Sequence, residues 1–104
     1  MSNNNLDKQI IERYQDDERM MILVYAQWCI NHDLDPIALY EEAYPNQFAN
    51  ETLSDVLDLT VSKAESDRID PDMLLQALQV FGNHDLAFVV QQHINAIQAR
   101  KKTL

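Results

Sequence analysis

A chain of 104 residues with a formal net charge of −9 and a pI near 4.5 is sized for one domain. One glycine and three prolines leave little turn chemistry for a sheet of several hairpins, and a single cysteine excludes an internal disulfide. The acidic balance disfavours direct binding to a phosphate backbone over most of the surface, so nucleic acid is not the expected partner. No apolar run approaches the roughly 20 residues of a membrane span, and the polar start MSNNNLDKQ lacks the apolar centre of a secretion signal. A cytoplasmic protein with no membrane contact is therefore expected.

Residues 1–5 read as a polar, frayed leader. Leu6, Ile10, Ile11 and Tyr14 then recur at helical spacing. Continued without a break, that helix would set Asp17 on the apolar face beside Met21, so a kink or short break near Gln15–Asp17 is expected. Asp16, Asp17 and Glu18 would then suit the first turn of a new helix. The stretch from Met20 to Ile30, MMILVYAQWCI, is the longest nearly unbroken apolar run and holds the only Trp and the only Cys. A helix apolar nearly all round is a buried one, which makes this the central helix, at about 17–32.

Asp35-Pro36 reads as an N-cap followed by proline at the first helical position, opening a short helix that Pro45 stops. Phe48 is expected to tuck inward from the loop that follows. Asn50 caps a third segment, in which Leu53, Val56, Leu57, Thr60, Val61 and Ala64 form one stripe, with an end near Glu65–Asp67. A second Asp-Pro pair, Asp70-Pro71, opens a helix with Met73, Leu74, Ala77, Leu78 and Phe81 inward, closed at Gly82. Asn83 caps the last helix, whose stripe is Leu86, Val89, Val90, His93, Ile94 and Ile97. Arg100, Lys101 and Lys102 lie near its end, in a short basic tail at 100–104. The two Asp-Pro starts lie 35 residues apart, but their flanks do not match, so they are similar helix starts and not a repeat. The expected fold is all-α, a compact bundle of five helices, six if the first segment breaks at Asp17.

The charge is uneven. Between Met20 and Ser62 there are seven acids and no Lys or Arg, whereas no acid follows Asp85. Glu41, Glu42, Glu51, Asp55 and Asp58 form the expected partner-binding surface, and the partner it fits is a protein with a basic patch. The bland alternative is a solvated face.

Other constellations carry less. Asn31-x-Asp33-x-Asp35 with Glu42 has the ligand spacing of a calcium loop, but Pro36 stands where a sharp turn needs glycine. Cys29-x-x-His32 could supply two zinc ligands, with His84 or His93 as further candidates, but there is no second close-spaced pair, so no metal and no cofactor are expected. An enzyme or metal protein centred on Cys29 and a histidine is the third reading. Cys29 in a buried helix is poorly placed as a nucleophile, and a non-enzymatic protein is expected. The last two helices resemble a helix-turn-helix in outline, but the second starts Asn83-His84-Asp85-Leu86, with an acid and no base. A nucleic-acid-binding domain using the basic C-terminus is the runner-up reading. Trp28, Tyr25, Tyr40, Tyr44 and Phe48 are expected to gather as core, or as the patch of a homodimer.

Overall fold

The computed structural model describes residues 3–47 and 50–102, with side chains described for 17–47 and 50–101. Five helices and no strand are present among these residues: α1 (Asn3–Asn31), α2 (Pro36–Ala43), α3 (Glu51–Leu57), α4 (Pro71–Val80) and α5 (His84–Lys102). α1 packs against α2, α3 and α4, while α5 closes against α2 and α4. The all-α bundle expected from the sequence is thus the observed one.

The core begins where the apolar run begins. Met21, Ile22, Tyr25, Ala26, Trp28 and Cys29 of α1 are buried, and Leu23, Val24 and Ile30 are half-buried. Around them pack Leu39 of α2, Leu53 and Val56 of α3, Leu74 and Leu78 of α4, and Leu86, Val89, Val90 and Ile94 of α5. Tyr25 spends its hydroxyl on the entry to α2, donating to the Pro36 carbonyl at 2.6 Å.

The break expected near Asp17 is absent: α1 runs continuously from Asn3. Asp17 is exposed, and among the described residues burial starts at Met21. None of the described residues from 17 to 20 is buried, so Asp17 meets no covered face among them and gives the backbone no reason to kink. Asn3 to Asn5 of the expected leader are helical as well.

Helix ends follow the local signals closely. Asp35 accepts from the amides of Ile37 and Ala38, Asn50 from that of Leu53, and Asp70 from that of Asp72. α4 closes with Asn83 N–H donating to the Leu78 carbonyl and Gly82 N–H to that of Gln79, with Gly82 at φ 76°. α1 closes in the same way, Leu34 N–H to Cys29 and Asp33 N–H to Ile30, but here Asp33 takes the positive φ, 59°. Aspartate is among the few side chains that tolerate this region. Asp33 is therefore a helix terminator as well as an acid in a turn. Asn83 stands just before α5; its backbone carbonyl accepts from Ala87, while its side chain accepts from the Tyr44 hydroxyl at 3.1 Å.

α3 corrects the sequence reading most. It stops at Leu57, and Val61 and Ala64, expected on its buried stripe, are exposed. After Leu57 the chain tightens: the amides of Leu59 and Thr60 reach back three residues, and the Thr60 hydroxyl caps the Leu57 carbonyl at 2.8 Å. Thr60 and Val61 are β-branched and give up little by leaving a helix. Gln27 of α1 then takes the backbone of Val61 from both sides. Its Nε2 donates to the Val61 carbonyl and its Oε1 accepts from the Val61 amide, each at 2.9 Å. A side-chain amide here replaces the helical partners that Val61 would have had. Gln27→Ala is expected to cost about 1–2 kcal/mol, the worth of two part-exposed hydrogen bonds. Urea denaturation measures it, and exchange of the Val61 amide should quicken in the variant.

Met73, expected inward, is 66% exposed. At 100° per residue it lies about a quarter turn from the middle of the stripe made by Leu74, Ala77, Leu78 and Phe81. Phe48 lies outside the described residues.

Candidate functional site

All five acids singled out from the sequence stand in solvent. Glu41 and Glu42 end α2, Glu51 opens α3, Asp55 sits in its middle, and Asp58 follows its last turn. The two helices are joined where Asn50 Nδ2 donates to the Tyr40 hydroxyl at 3.2 Å. Their counter-charges are sparse and come from elsewhere. Arg19 of α1 approaches Asp55 at 3.8 Å, and His93 of α5 approaches Glu42 at 3.5 Å. Glu41, Glu51 and Asp58 have no ion-pair partner among the described residues. Exposed pairs of this kind contribute little to stability, so these carboxylates are not needed to hold the fold together.

The residues of the calcium-like pattern are engaged separately. Asn31 accepts from Gln27 and donates to Ser66, Asp33 pairs with Lys63 at 2.8 Å, and Asp35 caps α2. Among the described residues, no three His, Cys, Asp or Glu side chains gather as a metal would require. Cys29 is fully buried beside the Tyr25 hydroxyl. Burial pushes its thiol up to about 12, with the charge of Asp35 adding to the effect and the Tyr25 hydrogen bond opposing it. A thiol held neutral and out of solvent has neither of the properties of a nucleophile. The three histidines are dispersed. His84 is exposed at the start of α5, His93 is half-buried, and His32 packs against Trp28 with ring centroids 5.0 Å apart. Burial, and then the Lys101 charge, hold the His32 imidazole below its ordinary value.

Of the aromatic residues expected to gather, Tyr25 and Trp28 are buried in the core, and Tyr40 and Tyr44 pack against that core and on each other at 4.9 Å along α2.

A feature that sequence reasoning missed lies at the other end of α1. The 58–70 loop is tied there by Gln27–Val61, Asn31–Ser66 and Asp33–Lys63 contacts. Between this loop, the end of α1 and the second half of α5 is a cavity of about 620 Å³. Trp28, Ile69, Ile94 and Ile97 give it apolar walls, and Lys63, Arg68 and Lys101 bring positive charge. Three of the chain's eight Lys and Arg residues thus line one hollow in a protein of net charge −9. The loop has no periodicity, so the only sequence signal was the return of bases after Ser62.

The fold and surface define a small all-α bundle with an acidic flank and a basic-lined cavity; among the described residues no helix is long and apolar enough to cross a membrane. The chain belongs to the YxiS family: the family model matches residues 2–95. A protein of Bacillus subtilis (strain 168) described as "Uncharacterized protein YxiS" is 48% identical over 97 residues, which span 92% of this chain and 98% of that protein. No solved structure matches the chain.

Proposed function

We propose that this protein is a non-enzymatic interaction protein of the cytoplasm, a small regulator, adaptor or inhibitor, that receives the basic patch of a protein partner on Glu41, Glu42, Glu51, Asp55 and Asp58. The observation behind this reading is that all five carboxylates are exposed, and that among the described residues only Arg19 and His93 approach any of them within ion-pair distance. The uncompensated field acts on association rate and on choice of partner more than on final affinity, and it weakens as salt screens it. The burial of Cys29 and the scatter of the histidines favour a binding role over catalysis.

The test is Glu41→Lys, Glu42→Lys, Asp55→Lys and Asp58→Lys in one chain, with folding checked by circular dichroism. Capture of partners from the native cell, identified by mass spectrometry, should lose its salt-sensitive members. Equal capture by parent and variant would reduce the surface to a solvated face.

A further inference from the structure

The cavity between the 58–70 loop and α5 is separate from the acidic flank, and its chemistry is of the opposite sign. Its volume, about 620 Å³, falls in the range that holds a small organic molecule. The walls are mixed in the way such sites are: Ile69 and Ile97 supply the accessible apolar area, backed by the buried Trp28 and Ile94, and charged groups stand around them.

The balance of those charges decides what fits. Lys63 is already engaged by Asp33 at 2.8 Å, and Asp67 in the lining offsets one further positive charge, which leaves a small net positive charge on the side of Arg68 and Lys101. Neither Arg68 nor Lys101 has a carboxylate within ion-pair distance among the described residues. Arg68 offers a planar fork that suits a carboxylate or phosphate, and Lys101 a point charge. The Lys101 charge is felt within the site, since it helps to lower the neighbouring His32. Trp28 stands behind the apolar wall: it is 1% exposed, and its buried indole N–H has no acceptor among the described residues.

We propose that this cavity binds a small organic anion: an aromatic or branched aliphatic body carrying one carboxylate or phosphate. The body lies against the half-buried Ile69 and Ile97, with Trp28 and Ile94 behind them, and the head group is held by Arg68 and Lys101.

Four probes with one body test the sign and kind of head group: phenylacetate, phenyl phosphate, neutral phenylacetamide and cationic phenethylamine. They are titrated into the full chain and followed by amide NMR. Because Trp28 is the only Trp, its indole N–H gives a single signal that reports on the cavity wall. At least one anion is expected to give a saturable shift of that signal. The amide should bind at least about ten-fold more weakly, and the amine should give no saturable shift. Which anion binds more tightly separates a carboxylate site from a phosphate site. Arg68→Gln with Lys101→Gln should weaken the anion at least about ten-fold with the melting temperature unchanged. Lys101→Gln alone, at an exposed position near the end of α5, gives a smaller loss without risk to folding. The proposal is overturned if neither anion saturates by about 20 mM, far weaker than a useful site. It is equally overturned if amide or amine binds as well as the anions, or if the double variant binds as the parent does.

Discussion

Trp28→Ala is expected to lower stability by about 3–5 kcal/mol, the range found for deleting a large buried aromatic side chain. Trp28 is 1% exposed, sits on the helix that three others pack against, and touches the 5.0 Å ring contact with His32. A domain of this size has roughly 5–15 kcal/mol in total, so the variant should be close to the edge of folding at room temperature. Urea denaturation followed by circular dichroism measures the loss, and a variant melting within a degree or two of the parent would refute the central position of α1. Trp28→Phe should lose less. It keeps most of the apolar volume, and it also removes an indole N–H that is buried without a partner.

The second large effect is on chemistry at Cys29. With the side chain fully buried and the thiol raised to about 12, modification by an aromatic disulfide reagent at pH 8 should be at least about 100-fold slower in the native protein than in denaturant. Reaction then reports opening of the fold, not reactivity of the thiol. The same shift has a consequence for pH. A folded value above the ordinary one of 9 means that the fold holds the neutral thiol better than the unfolded chain does. The stability linked to Cys29 is fully present below pH 9 and is lost as pH rises from 9 to about 12. Cys29→Ala should reduce the slope of that part of a stability-against-pH curve, with the remainder coming from Tyr25, whose hydroxyl is also raised by burial; rapid native modification at pH 8 would contradict the burial argument.

What could be read in the sequence was whatever is settled within a few residues. Asp35, Asn50 and Asp70 cap helices because their side chains meet amides two or three positions along. Gly82 ends α4 because its backbone can turn left-handed. The buried stripes of α2 and α5 and the apolar run of α1 carried the core. The errors came from contacts between distant segments. Nothing near Val61 announces that Gln27, 34 positions earlier, will hold its backbone and so end the helical stripe at Leu57. Asp17 looked misplaced only on the assumption that a covered face continued to its level. The acids at 41–58 were legible as a charge run, whereas the cavity needed the third dimension. Arg68 and Lys101 become neighbours of Trp28 only once the loop folds over the end of α1.

Gln27 also bears on how this chain can vary. Holding one peptide unit by both its N–H and its C=O requires a donor and an acceptor side by side at the right reach. Asparagine has the same pair but is one methylene short. Glutamate has the reach but would set a second acceptor against the Val61 carbonyl, and lysine can only donate. The apolar neighbours Ile22 and Leu23 can exchange among aliphatic side chains of similar volume at small cost. In α1, then, a half-exposed polar position restricts the choice of side chain more than aliphatic core positions such as Ile22 and Leu23 do, and a neutral drift of sequence should pass through those two more readily than through Gln27.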